Sequence, residues 1–129
     1  MANKKIHFKS TTANIPRIFK ALRFSILGFK AAYKHEAAFR QEVFLFCIFT
    51  PLAVFTSESI MTFVMLEAVM LLVLVVEAIN SAIEAVVDRI SLEHHELSGR
   101  AKDLGSLAVT ISFIIATMVW FTHLYHYFF

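Results

Sequence analysis

The chain of 129 residues has few of the residues that make turns and cross-links, with Gly 3, Pro 2 and Cys 1. Scarce glycine and proline argue against turn-rich β folds and against a glycine-rich phosphate loop. One cysteine excludes an internal disulfide and a zinc site built from several cysteines. Charged residues are also scarce at 17%, whereas soluble domains contain about a quarter.

Apolar residues are abundant instead. They make up 58% of the chain, and the mean hydropathy is +0.68. This composition predicts a small all-α integral membrane protein, and the mass of 14.7 kDa predicts one domain over residues 1–129.

Three apolar stretches are long enough to cross a hydrocarbon core about 30 Å thick. They predict membrane-spanning helices at residues 37–56, 59–88 and 104–125. A tight turn separates the first two spans, and a polar loop at residues 89–103 separates the last two. Pro51 is expected to kink the first span, which neighbouring helices can tolerate.

The basic residues predict the orientation of these spans. Of the 12 Lys and Arg, all lie at or before Arg40 except Arg89, Arg100 and Lys102 in the polar loop. The positive-inside rule therefore places the N-terminus and the polar loop in the cytoplasm and predicts an inner-membrane protein. Near the other end, Trp120, Tyr125 and Tyr127 are typical of an aromatic belt at the outer interface.

Two segments precede the first span. Residues 1–13 predict a basic tail, and residues 14–35 predict an amphipathic surface helix. Its apolar residues follow one line at 100° per residue, and its basic residues avoid that line; the apolar set is Ile15, Ile18, Phe19, Leu22, Ile26, Phe29 and Tyr33. Such a helix is expected to lie on the anionic inner leaflet, or else to pack on a partner protein.

The second span carries charged side chains where a charge costs at least about 2.5–3 kcal/mol. Glu77, Glu84 and Asp88 lie within about 40° of one another around the helix, and Asn80 flanks them. Residues of this kind inside a membrane are functional candidates, although they also serve to hold helices together. Glu77 and Glu84 are about 10.5 Å apart along the axis, which indicates separate roles.

The polar loop contains acids, bases and histidines, which usually indicates a solvated loop. Beside an acidic stripe, its cations become candidate phosphate binders. No P-loop motif is present, so any nucleotide chemistry is of another type.

Three sequence blocks resemble the conserved blocks of the prokaryotic diacylglycerol kinases, in the same order. They are EAAFRQE at residues 36–42, EAINSAIEAVVDRI at 77–90 and HELSGRAKDLGS at 95–106. The likeness extends from Arg17 to the end of the chain. The first and third blocks are more similar to the Gram-negative lipid kinases than to the undecaprenol kinases of Gram-positive bacteria.

The resemblance implies an ATP- and Mg²⁺-dependent homotrimer whose active sites form between neighbours at the inner leaflet. Glu77 would be the general base on the lipid hydroxyl, and Glu36 and Glu84 would hold the metal. The nucleotide site would be lined by Arg17, Phe24, Glu93, His94, His95, Lys102 and Asp103, with Asn80 and Asp88 supporting the acidic cluster. The lipid would be bordered by Arg17, Lys30, Arg40, Gln41, Glu42 and Ser106. Phe24 stands where the family tends to have Tyr, so stacking is kept and a hydroxyl contact is lost.

The expected reaction is phosphorylation of 1,2-diacylglycerol to phosphatidic acid, which recycles phospholipid in the inner membrane. Undecaprenol is the alternative lipid. A different alternative is a small oligomeric, proton-coupled transporter that uses Glu77 and Glu84 as coupling carboxylates. That alternative predicts no ATP dependence and leaves the polar block of residues 93–103 without a role. No nucleic-acid partner is expected.

Overall fold

The computed structural model describes residues 15–91, 93 and 95–129. Its regular elements are four helices, namely α1 (Ile15–His35), α2 (Ala37–Thr56), α3 (Ile60–Ile90) and α4 (Glu96–Phe128). The chain divides into two units, Met1–Lys30 and Ala31–Phe129. The predicted basic tail of residues 1–13 lies outside the described residues.

Helices α2, α3 and α4 are long and apolar enough to cross a membrane, with 20, 31 and 33 residues. At about 1.5 Å per residue, their lengths are about 30, 46 and 50 Å. The hydrocarbon core is about 30 Å thick, so α3 and α4 extend beyond it. The prediction of an all-helical, multi-pass membrane protein with three candidate spans is confirmed.

A single residue, Glu36, separates α1 from α2. Its backbone is extended, with φ −103 and ψ 115. The first turn of α2 also satisfies the end of α1, because Nη1 of Arg40 donates to the carbonyl oxygens of Tyr33 at 3.1 Å and Lys34 at 3.3 Å. Helix ends leave such carbonyl groups without partners of their own, so this contact stabilises the break at Glu36.

Side chains mark where the other helices begin. Oγ of Ser59 accepts a hydrogen bond from the backbone N–H of Thr62 at 3.1 Å and caps α3. Nδ1 of His95 accepts from the N–H of Leu97 at 3.2 Å and caps α4, whose first turn holds the favourable acidic residue Glu96.

The start of α4 differs from the sequence prediction. A polar loop was expected up to residue 103, but α4 begins at Glu96. Hydropathy locates the part of a helix that enters the membrane. The helix itself begins where a cap satisfies its first N–H groups, and here that position lies in polar sequence.

The core of the bundle is one cluster contributed by α2, α3 and α4. It contains Ala53, Leu66, Met70, Val73, Ala116 and Trp120. The rings of Phe49 and Trp120 meet edge to face at 4.7 Å between centroids. Trp120 is therefore buried in the bundle and not exposed in an aromatic belt, because it finds an aromatic partner on α2. Tyr125 and Tyr127 are exposed.

Polar side chains also join the helices. Nε2 of His123 on α4 lies 2.8 Å from Oγ1 of Thr56 at the end of α2. Oγ1 of Thr50 on α2 donates to Oε2 of Glu67 on α3 at 3.0 Å. Glu67 belongs to none of the three sequence blocks, and this contact gives its carboxyl group a partner within the membrane.

Replacing Thr50 by Val removes the hydroxyl donor while keeping the side-chain shape. We expect Thr50→Val to lower the free energy of unfolding by about 1 kcal/mol, within the range known for interhelical hydrogen bonds in membranes. Reversible unfolding in mixed detergent micelles measures this loss.

The matched control repeats Thr50→Val in a Glu67→Leu background. There the substitution is expected to have little effect, since no carboxyl group needs the donor. An equal loss in both backgrounds would show that the Thr50 hydroxyl acts elsewhere.

Candidate active site

A polar cavity of ≈ 270 Å³ lies among the ends of α2, α3 and α4 that are predicted to face the cytoplasm. It is lined by Glu36, Ala38, Glu77, Asn80, Glu84, Ser106 and Val109. Five of these were predicted as site residues, namely Glu36, Glu77, Asn80, Glu84 and Ser106. The structure brings them together.

The helical repeat of α3 explains three of the lining residues. Offsets of three and seven from Glu77 place Asn80 and Glu84 on the same face of the helix. Glu77 is 4% exposed and Asn80 is also buried, so this face points into the bundle. Glu36 reaches the cavity from the break between α1 and α2, and Ser106 reaches it from α4.

The cavity concentrates negative charge. The carboxyl group of Glu77 interacts electrostatically with those of Glu84 and Glu36. Glu42 on α2 also interacts with Glu77, is buried, and has an Oε2 atom without a hydrogen-bond partner among the described residues. Like charges repel strongly where water is scarce, so the cavity favours a cation.

Asn80 fixes the orientation of one of these carboxylates. Its Nδ2 donates to Oε1 of Glu84 at 3.1 Å. A neutral amide donor orients a carboxylate without neutralising it, which leaves the charge of Glu84 available to a ligand.

One ion pair borders the cavity. Nζ of Lys102 on α4 lies 2.6 Å from Oδ1 of Asp88 on α3, and Lys102 is also within electrostatic range of Glu84. Both partners are partly exposed, so the pair adds little to stability. The ion pair instead fixes the position of the Lys102 ammonium group beside the acidic cavity.

Comparison with known proteins identifies the family. The model of the family described as prokaryotic diacylglycerol kinase matches residues 23–124. The chain belongs to the prokaryotic diacylglycerol kinase family. The resemblance seen in the three sequence blocks is thereby confirmed, and the protein is an enzyme of the kinase class, with ATP as co-substrate.

Individual members of this family are similar over most of their length. The diacylglycerol kinase of Escherichia coli (strain K12) is 46% identical over 119 residues, which cover 92% of this chain and 98% of that protein. The diacylglycerol kinase of Haemophilus influenzae is 45% identical over 109 residues, covering 84% and 92%. That of Pseudomonas aeruginosa is 46% identical over 115 residues, covering 89% and 93%.

Several residues lie away from the cavity lining although the resemblance assigns them to nucleotide or lipid binding. Arg40 holds the end of α1, and Gln41 and Asp103 are exposed. The backbone N–H of Glu93 donates to Oγ of Ser91 at 3.0 Å, and His95 caps α4. Their predicted contacts with nucleotide or lipid stay predictions.

Four other assigned residues lack a described relation to the cavity. Arg17, Phe24 and Lys30 belong to the unit Met1–Lys30, where Nζ of Lys20 lies 5.8 Å from the ring centroid of Phe24. His94 lies outside the described residues.

The lining residues suit the Mg²⁺ that the resemblance implies. Within the described ranges, no group of three or more His, Cys, Asp or Glu is arranged to hold a metal ion. Mg²⁺ does not require such a cage, since it typically takes one or two protein carboxylates and completes its shell with water and phosphate oxygens. Glu36 and Glu84 provide oxygen donors of this type.

A larger cavity of ≈ 520 Å³ lies at the opposite ends of α3 and α4. Glu58, His123 and His126 contribute polar groups to it, and Met65, Met118 and Val119 contribute apolar ones. It has one carboxylate and lies outside the three sequence blocks. The acidic cavity is therefore the candidate active site of this diacylglycerol kinase family member.

Sequence reasoning missed some features of the site. Ala38 and Val109 line the cavity. Glu42 was assigned to the lipid border, yet it is buried beside Glu77. The sequence carried no signal that α2 turns this carboxylate toward α3.

Lys102 is expected to bind a phosphate group of ATP, because it is a cation held beside the carboxylates of the acidic cavity. Lys102→Gln should raise KM for ATP more than it lowers kcat, as measured by steady-state kinetics at saturating lipid. Arg100→Gln, on the same helix and exposed, is the control and should leave KM for ATP near that of the unmodified protein. Equal changes in both variants would contradict a specific role for Lys102.

Proposed function

We propose that this protein transfers the γ-phosphate of ATP to the primary hydroxyl group of 1,2-diacylglycerol and releases phosphatidic acid and ADP. The observation that carries the proposal is the convergence of Glu36, Glu77 and Glu84 on one cavity in a chain of this family. The relatives described above bear the name diacylglycerol kinase, which favours diacylglycerol over undecaprenol.

Glu77 is the general base in this proposal. It accepts the proton of the lipid hydroxyl as the hydroxyl oxygen bonds to the γ-phosphorus and the bond to ADP breaks. Its burial supports the role, because a carboxylate shielded from water is a stronger base toward an alcohol. Glu42, buried beside it, borders the lipid head group.

Glu36 and Glu84 would hold Mg²⁺. When bound there, the ion would help to neutralise the phosphate charge that builds up during transfer. The repulsion among the three carboxylates supports this assignment, and Asn80 keeps Glu84 oriented toward the ion. Glu36 lies at the break between helices, so the two ligands come from different segments of the chain.

ATP enters from the side of Lys102 and Asp88. Lys102 contacts phosphate oxygens, and residues 93–95 and Asp103 lie beside the nucleotide. The resemblance also assigns Arg17 and Phe24 to nucleotide binding. The partial exposure of Lys102 supports an aqueous approach to the cavity.

The protein lies in the bacterial inner membrane with its N-terminus in the cytoplasm. The distribution of Lys and Arg supports this orientation. Helix α1 lies on the inner leaflet with its apolar row toward the lipid. Exposed side chains such as Ile18, Phe19 and Leu22 support this placement. There, Lys30, Arg40, Gln41 and Ser106 border the lipid substrate.

The working unit is a homotrimer, as the resemblance of the three sequence blocks implies. Many large apolar side chains of α2, α3 and α4 are exposed on the single chain, including Phe44, Val54 and Val75. Lipid or a neighbouring chain covers them in the membrane.

The central test measures phosphate transfer from ATP to dioleoylglycerol in detergent micelles with Mg²⁺. Glu77→Gln is expected to lower kcat by roughly 10²- to 10⁴-fold, the usual contribution of a general base. Glu58→Gln, exposed in the turn between α2 and α3, is the matched control and should stay active.

Each other outcome of that assay points to another function. Product from undecaprenol alone would keep the chemistry and replace the lipid. Folded protein that phosphorylates neither lipid would reject the kinase proposal and favour the transporter.

A second experiment addresses the metal. Glu84→Gln should raise the Mg²⁺ concentration needed for half-maximal activity while leaving KM for diacylglycerol nearly unchanged, since it removes one ligand charge. Titration of Mg²⁺ at fixed ATP measures this. A change in KM for the lipid alone would assign Glu84 to lipid binding instead.

A further inference from the structure

Gly105 of α4 lies directly against the side chain of Asn80 on α3. A Cβ atom built at Gly105 would collide with Oδ1 of Asn80. At Gly28 and Gly99, the other two glycines of the chain, a Cβ atom would meet nothing within 4 Å. Among the three glycines, Gly105 is therefore the one at which another side chain, that of Asn80, fills the space that a Cβ atom would need.

Gly105 also stands inside a helix, where glycine is a poor helix former. Its backbone does not adopt a positive φ, so no unusual conformation requires it. The close approach of Asn80 accounts for glycine at this position.

The amide of Asn80 is held from two sides. Its Nδ2 donates to Oε1 of Glu84, while its Oδ1 is buried against Gly105 without a hydrogen-bond partner among the described residues. The amide group is planar, so displacing Oδ1 also moves Nδ2. Reversing the amide would point its oxygen at a carboxylate, which is unfavourable.

We propose that Gly105 is a positioning residue of the phosphotransfer site. By carrying no side chain, it gives the amide of Asn80 the room to orient Glu84 toward Mg²⁺. This inference rests on the proposed function, because it takes Glu84 as a metal ligand. It extends the site to a residue that contacts neither substrate nor metal.

The competing explanation is that Gly105 only lets α3 and α4 pack closely. Ala101 and Ala108, near Gly105 on α4, line a groove together with Asn80, so small residues are common at this contact. The two explanations differ in what Gly105→Ala changes. The positioning role predicts a folded protein that binds the metal more weakly, whereas the packing role predicts a less stable protein.

Gly105→Ala is the first test, with Gly99→Ala as the matched control on the same helix. Binding of Mn²⁺ in the presence of a non-hydrolysable ATP analogue is followed by electron paramagnetic resonance. Gly105→Ala should weaken Mn²⁺ binding by about 10- to 100-fold, as the loss of an outer-shell partner typically does. KM for diacylglycerol should change little, and Gly99→Ala should bind Mn²⁺ as the unmodified protein does.

The decisive test is the same substitution in an Asn80→Ala background. With no amide to displace, Gly105→Ala should weaken Mn²⁺ binding no further than Asn80→Ala alone. Additive losses would overturn the proposal, as would unchanged Mn²⁺ binding in the single variant. Should Gly105→Ala fail to fold while Gly99→Ala folds, Gly105 would be assigned to packing and the proposal would be overturned.

These outcomes are separate from those of the proposed function. If the unmodified protein made no phosphatidic acid, the kinase proposal would fail. The Mn²⁺ measurements on the four variants would still decide whether Gly105 positions Asn80 and Glu84.

Discussion

A carboxylate buried in a membrane protein must face water, a cation or a polar partner, because lipid offers it none of these. Helix α3 carries four carboxylates, of which Glu77 is buried and the other three are partly or fully exposed. Glu77 and Glu84 turn toward α4 and the start of α2 and line a shared cavity. Asp88 pairs with Lys102 at the mouth, and Glu67 pairs with Thr50 deeper along the helix. The face of α3 that packs against the other helices is thus the face that lines the candidate site.

The need of these carboxylates for a polar partner also links the folding stability of the bundle to the acidic cavity. Three carboxylates around one cavity repel one another, so the protein without its ligands stores an unfavourable interaction that a bound cation relieves. The apolar cluster around Leu66 and Trp120 packs α2, α3 and α4 together in the other half of the bundle. This packing offsets part of the repulsion at the site.

Periodicity and hydropathy were sufficient for the parts of the fold that depend on one helix at a time. The three candidate spans follow from apolar length, and the common face of Glu77, Asn80 and Glu84 follows from the helical repeat. Contacts between side chains of two different helices could not be predicted from periodicity and hydropathy. Trp120 is buried because α2 offers Phe49, Glu42 lies beside Glu77 because α2 packs on α3, and Gly105 is meaningful only next to Asn80. The start of α4 was placed too late because hydropathy responds to the membrane and not to the cap at His95.

The early start of α4 has a consequence for the effect of an insertion or deletion in this chain. From Glu96 onward, Lys102, Gly105 and Ser106 belong to one uninterrupted helix, so their angular and axial positions are tied together. Inserting or deleting one residue between Lys102 and Gly105 would rotate one relative to the other by about 100° and shift it by about 1.5 Å. Asp88 and Asn80, both on α3, could then no longer meet their partners at once. A length change before Glu96 would leave Lys102, Gly105 and Ser106 in their register with one another, whereas one within α4 would not.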